Sequence, residues 1–257
     1  WVLLISVFHQ AGTRYFVGTF DGQTFSPEQE GSLDYGKHFY APQTLSDRDG
    51  RRVMIGWLLE GRSETAQKDA GWSGAQSVPR VLTLHADQRL AMTPTPELQK
   101  LRDHHTRRAD LTLTGETDLE LTELHGACLE LLVEMEPGTL QEIGLKLLRS
   151  PDGEQETLIR FDLQQGLLTL DRSRSGGEQV SPLTIERAPI AVQSNETLVF
   201  HVFLDRSIIE VFINNQVCLS GRVYPPSTHN RSVVFYSRGG SGELKSLEGW
   251  ELRSIWQ

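Results

Sequence analysis

A chain of 257 residues can form one large β domain or two smaller ones, and it is long enough to bury roughly 70% of its unfolded surface without staples. Its formal net charge of -9, with no basic stripe, argues against nucleic acid as a partner. No apolar run approaches the ~20 residues of a membrane span, and the only two cysteines, Cys128 and Cys218, sit inside apolar runs without metal-ligand spacing.

The first residue is Trp1, and the sequence begins at once as a strand, residues 1–8, with neither the basic front nor the cleavage region of a signal peptide. The expectation is that an upstream segment is missing. The compartment cannot be read from this end, with the cytoplasm favoured over secretion. The first third then reads as hairpin after hairpin. Strand 13–20 follows across His9-Gln10-Ala11-Gly12, and Asp21-Gly22 turns the chain again. Gln43–Asp47 and Arg51–Leu58 flank Asp49-Gly50, and Val81–His85 and Arg89–Met92 flank Ala86-Asp87. Short antiparallel strands with glycine-marked turns suit a propeller or a sandwich, and little helical pattern is visible.

Residues 93–102 change the rhythm. Thr95 can cap a short helix from Pro96 to about Arg102, with Pro96 at its first position and Glu97 near its positive end. The polar run 103–109 then reads as a linker, so that residues 95–109 separate a first unit, 1–94, from a second, 110–257. The second unit offers about ten candidate strands, among them Cys128–Met135, Ile143–Leu148, Leu158–Leu163, Leu198–Leu204, Ile208–Ile213, Val217–Val223, Ser232–Tyr236 and Trp250–Ile255. Asp205-Arg206-Ser207 and Asn214-Asn215 supply tight reversals, and the regular spacing predicts a two-sheet sandwich.

The richest chemistry lies in residues 34–45. Asp34, Lys37, Tyr35 and Tyr40 surround a glycine turn ahead of a strand-like run. A carboxylate and an ammonium suit sugar hydroxyls, and aromatic rings suit the apolar faces of sugar rings; an ordinary inter-strand loop is the competing reading. Asp47 and Asp49 read as turn formers. Trp57 and Trp72 read either as sugar platforms or as packing residues, with core or rim packing favoured for Trp72. Adjacent histidines, His104 and His105, point to opposite faces of a strand and make no metal site. Residues 239–246 resemble a phosphate loop, but Leu244 occupies the place of its last glycine, so a flexible loop is expected. Asn195 and Asn230 begin glycosylation sequons that matter only in a secreted protein. No Gly-x-Ser-x-Gly elbow supports a serine hydrolase.

Three segments together resemble glycoside hydrolase family 32, the invertases, sucrose-6-phosphate hydrolases, levanases and inulinases. They are Asp34 to Thr44 with Gly56-Trp57, then Trp72 to Arg80 with Leu82-Thr83-Leu84, and Phe203 to Asn214. The resemblance implies an all-β fold, a partial five-bladed β-propeller followed by a C-terminal β-sandwich. It also implies hydrolysis of terminal β-fructofuranosyl bonds with retention, on sucrose, sucrose 6-phosphate or fructans, with neither metal nor organic cofactor. By the same resemblance Asp34 and Lys37 form an acid–base pair on the leaving-group side, Lys37 favouring the ionised form of Asp34, and Tyr40 and Trp57 lie near the pocket rim. His38 and Val81 replace residues that are commonly acidic in relatives.

The family's aspartate nucleophile, glutamate acid and transition-state aspartate belong to Asn-Asp-Pro-Asn, Glu-Cys and Arg-Asp-Pro motifs, none of which occurs here. Arg48-Asp49 runs into Gly50, and Arg102-Asp103 runs into His104. The chain is therefore expected to hold roughly the last two blades and the sandwich, with no catalytic residue of its own. Two blades alone expose strand edges and apolar faces. Order is then expected to depend on the missing N-terminal propeller segment or on assembly, including a homo-oligomer. A sugar-binding or purely oligomerising remnant is the alternative.

Overall fold

The computed structural model describes residues 1–7, 12–124, 126–176, 185–191, 196–225, 229 and 231–256. The expected turn at 9–12 and both sequon asparagines fall wholly or partly outside these. β1 (Val2–Ser6), β2 (Thr13–Phe20) and β3 (Phe25–Asp34) form a three-stranded antiparallel sheet. β3 escaped the sequence reading because its outer half, Ser26 to Glu30, is polar and exposed. Asp21 makes the turn before it by accepting from the Gln23 and Thr24 amides at 2.8 and 2.7 Å. This sheet leaves Trp1, Leu3, Ile5 and Phe20 exposed.

β4 (Phe39–Ser46), β5 (Arg52–Leu58), β6 (Ala75–Gln76), β7 (Arg80–Leu84) and β8 (Leu90–Pro94) make the second blade-like sheet, in the order β4-β5-β7-β8 with β6 on β5. A helix absent from the sequence reading, α1 (Glu64–Ala70), links β5 to β6. Ser63 caps it by accepting from the Ala66 amide, and Gly71 ends it in the left-handed region at φ 76°. Seven residues with none buried carry no apolar period to detect.

The predicted helix after Thr95 is a 3-10 helix, Pro96–Leu101, and Thr95 makes no side-chain capping bond. The run read as a linker is instead the start of β9 (Arg102–Thr114), which pairs along its length with the last strand. Its alternation of polar side chains reflects an edge strand with one solvated face, not a solvated connection. β10 (Thr117–Glu120), β11 (Cys128–Glu136), β12 (Glu142–Arg149), β13 (Thr157–Asp162), β14 (Leu167–Asp171) and β15 (Ile185–Pro189) follow. β16 (Leu198–Asp205), β17 (Ile208–Ile213), β18 (Val217–Arg222), β19 (Ser232–Arg238) and β20 (Ser241–Leu252) complete the chain. β20 starts within the stretch expected to be a flexible loop and ends before Ile255, so the glycines at 239 and 240 serve a tight turn and not a loose one.

Two six-stranded sheets result, β10-β19-β12-β13-β14-β15 and β18-β17-β16-β11-β20-β9. Between them lies a core that includes Leu131, Val133, Leu145, Ile159, Phe161, Phe200, Val202, Val211 and Phe235. The second sheet is apolar on its other side as well. Phe203, Phe212 and Cys218 point away from the sandwich and join Tyr15, Leu33, Phe39, Met54, Leu58 and Met92 of the propeller part in a separate core. Each such aromatic ring contributes about 2–3 kcal/mol by burial, so the two parts are joined by a true hydrophobic interface. The fold is thus all-β, partial propeller followed by sandwich, and both cysteines are free, Cys218 buried and Cys128 half-buried.

Candidate functional site

The stretch from Asp34 to Tyr40 turns at the boundary between the two parts and serves both. Asp34 ends β3 with its side chain fully buried, facing the sandwich. Its Oδ1 accepts from the Gly36 and Ser220 amides at 2.7 and 2.8 Å, and its Oδ2 accepts from Ser220 Oγ at 2.6 Å and Arg80 Nη2 at 2.9 Å. Arg80 Nη2 also donates to Glu210 Oε2 at 2.7 Å, while Glu210 Oε1 accepts from the Val78 amide at 2.6 Å. The guanidinium lies 4.3 Å from the Phe39 ring and 5.1 Å from that of Phe212, which shield it from water. Burial pushes Glu210 above the usual carboxylate range, against the pull of Arg80.

This geometry corrects the expected pairing. The cation beside Asp34 is Arg80, not Lys37, because Asp34 turns inward and Lys37 stays exposed at the surface. Asp34 and Glu210 are each only 1% exposed, so Asp34 sits as a buried anchor of the turn and not on the open surface expected of a pocket-lining acid. Gly36 fits here because a Cβ would stand 1.8 Å from the Ser220 carbonyl oxygen. The Tyr35 amide meanwhile donates to the Cys218 carbonyl at 2.8 Å. The Asp-Tyr-Gly turn is therefore a dock for β18.

A second buried group lies beside the first. The Lys37 amide donates to Glu186 Oε1 at 2.9 Å, and Arg172 Nη2 donates to Glu186 Oε2 at the same distance. His38 is buried with its Nδ1 3.7 Å from Glu186. Burial, then the Arg172 and Arg222 guanidinium groups, hold its imidazole down at about 3, so it is neutral near pH 7.

Tyr40 and Trp57 do come together. They are opposite one another on β4 and β5, and their rings meet edge-on with centroids 6.5 Å apart. Trp57 is 46% exposed, so the pair forms an aromatic surface and not a core. Gly74, at φ 68°, permits the indole to lie close: a Cβ there would be 2.2 Å from Trp57 Nε1. Glu60 ties this corner together. Its Oε2 accepts from the Gly74 amide at 3.2 Å and from Arg62 Nη2 at 2.8 Å, and Tyr224 OH donates to its Oε1. Burial alone would raise this carboxyl, but the bonds from Arg62 and Tyr224 hold it well below the usual range. Trp72, favoured as a core or rim packing residue, is 45% exposed and stacks on Arg62 at 4.1 Å, so it lies at the rim and not in the core.

The residues that sequence reasoning missed are Arg80, Glu210, Ser220, Glu60 and Tyr224. One signal was present: Glu210 interrupts the apolar run Ile208–Ile213, and a charge inside such a strand implies a buried partner. Among the described residues no group of three or more His, Cys, Asp or Glu side chains is placed to hold a metal ion.

Residues 1–94 match the family profile "Glycosyl hydrolases family 32 N-terminal domain", and residues 97–251 match "Glycosyl hydrolases family 32 C terminal". A levanase of Bacillus subtilis is 30% identical over 276 aligned positions, covering 100% of this chain and 40% of that protein. A sucrose-6-phosphate hydrolase of Zymomonas mobilis is 31% identical over 250 positions, covering 93% of this chain and 46% of that one. The chain thus spans less than half the length of these relatives. Among solved structures, fructan 1-exohydrolase IIa from Cichorium intybus in complex with 1-kestose superposes with a TM-score of 0.85 at 21% identity, over 98% of this chain and 56% of that one. Sucrose-6-phosphate hydrolase from Lactobacillus gasseri gives 0.77 at 23% identity, over 95% of this chain and 48% of that one. Both structural likenesses bear on fold.

Proposed function

The chain belongs to glycosyl hydrolase family 32, and from that premise we propose that it is the C-terminal portion of a β-fructofuranosidase. The reaction is cleavage of terminal β-D-fructofuranosyl bonds with retention, by a carboxylate nucleophile and a carboxylic acid flanking the bond. Neither comes from this chain. It contributes one wall of the sugar pocket and the sandwich that holds that wall in register. In this reading Tyr40 and Trp57 receive the apolar face of a sugar ring and the Lys37 ammonium donates to its hydroxyls. Asp34 acts through the turn it anchors, by fixing where Lys37 and Tyr40 project.

The observation that carries the reading is the solvent-facing Tyr40–Trp57 pair, in a chain whose buried acids Asp34, Glu60, Glu186 and Glu210 are all engaged by arginines. Such acids hold structure and have no free face for bond cleavage. The test is release of fructose from sucrose, sucrose 6-phosphate and short fructans. The 257-residue chain is expected to release none, and addition of a polypeptide bearing the three missing carboxylate motifs is expected to start turnover. Turnover by the chain alone would overturn the assignment. Sugar binding that persists without turnover after complementation would establish a binding protein in place of an enzyme.

A further inference from the structure

The outer face of the first sandwich sheet carries a polar row that the fold alone does not account for. Arg160 on β13 is directly opposite Thr169 on β14, and Thr169 is directly opposite Arg187 on β15. Their chain neighbours Ile159, Phe161, Leu168, Leu170 and Ala188 belong to the sandwich core, so all three side chains project from the other face. That face is turned away from the sister sheet and from the propeller strands behind it. Thr169 is 3% exposed even there, and its Oγ1 is buried with no hydrogen-bond partner. A hydroxyl shut away from water without a partner is unfavourable, and valine fits such a strand position without that cost.

The two arginines are not committed elsewhere. Arg187 is exposed and makes no ion pair among the described residues. Arg160 has Glu142 nearby, but Nη1 stands 3.7 Å from Oε2, beyond hydrogen-bond length. Glu142 is itself engaged by Tyr236 OH, which donates to Oε1 at 3.0 Å. Asp162 and Asp171, further along the same strands, hold turn amides through Oδ1. Side chains directly opposite one another across a strand pair stand about 4.5–5.5 Å apart at Cβ, so both guanidinium groups can close over Thr169. Two guanidinium forks and a hydroxyl offer more donors than the two oxygens of a carboxylate take up, whereas a phosphate group presents about three strong acceptors.

We propose that Arg160, Thr169 and Arg187 form a binding site for a phosphate-type oxyanion. The Thr169 hydroxyl donates to one oxygen, and the two guanidinium groups clamp the others from either side. The site does not depend on how the aromatic surface of the propeller part is read.

The experiment is a titration of the intact protein with inorganic phosphate, at an ionic strength held constant with chloride, following the arginine Nε–H resonances by NMR. The Arg160 and Arg187 resonances are expected to shift together and to saturate. Arg160→Gln and Arg187→Gln should each weaken binding about tenfold, the scale of one charge-assisted pair. Thr169→Val should weaken it about threefold and yet raise the melting temperature of the phosphate-free protein, a combination that a purely structural threonine does not give. Glu142→Gln should tighten binding by freeing Arg160. Methyl phosphate bound at equal affinity assigns the site to the phosphate of an ester, and an about tenfold preference for inorganic phosphate assigns it to the free ion. If phosphate shifts these resonances no more than chloride does, or if both arginine variants bind as the parent does, the site is refuted.

Discussion

His38 offers a sharp test of the buried junction. It is 5% exposed, and burial with the neighbouring Arg172 and Arg222 lowers its pKa from about 6.5 to about 3, with Glu60 acting weakly the other way. The unfolded chain therefore takes up a proton between these values that the folded chain refuses. The neutral imidazole's contribution is intact above about pH 6.5 and is lost as the pH falls, at roughly 1.4 kcal/mol per unit. The neighbouring Glu186 is shifted up by burial, which has the opposite sign: its contribution is present below the ordinary carboxylate pKa and is lost as the pH rises through the raised one. Comparison of His38→Gln with the parent chain isolates the histidine. Urea unfolding at pH 7.5, 6.5 and 5.5 should show the parent losing roughly 1.4 kcal/mol more than the variant across that range. Parallel stability curves would show that the imidazole is solvated or protonated in the fold, and the account of the junction would be wrong.

Three further outcomes follow from the same geometry. Arg80→Met strips Asp34 and Glu210 of the guanidinium they share and should destabilise by about 3–5 kcal/mol in thermal or urea melts, with partial recovery when Glu210→Gln is added. Ser220→Ala removes a buried hydroxyl that donates to Asp34 and should cost about 1–3 kcal/mol by the same measurement. Gly74→Ala places a side chain at φ 68° and against the Trp57 indole, so it should shift the tryptophan emission and weaken sugar binding while the sandwich melts normally. An unchanged emission spectrum would mean that Trp57 is not seated on Gly74.

Most strands were legible because their physics is local. Asp205-Arg206-Ser207 and Asn214-Asn215 mark reversals that the structure makes with Arg206, Asn214 and Asn215 all in the left-handed region. The polar strand β3 and residues 102–110 of the edge strand β9 were not legible, because their pairing partners and not their own side chains decide their conformation; only the end of β9, Leu111–Thr114, reads as a strand from its own residues. The candidate site divides in the same way. Tyr40 and Trp57 are brought together by direct cross-strand register, which sequence order foreshadows. Asp34 finds Arg80 and Ser220 across separations of 46 and 186 residues, and no local pattern encodes such contacts. Lys37, three positions away, was the nearer candidate and the wrong one.

The sheet that carries β16, β17 and β18 has oily residues on both sides, one side facing its sister sheet and the other facing the propeller strands. A sandwich cut free of its neighbour would present Phe203 and Phe212 to water together with Glu210 stripped of its counter-ion. Moving this module onto another catalytic scaffold would therefore require a recipient that carries its own counterparts of Phe39, Met54 and Arg80. Shuffling is constrained to partners that already hold the matching half of the seam.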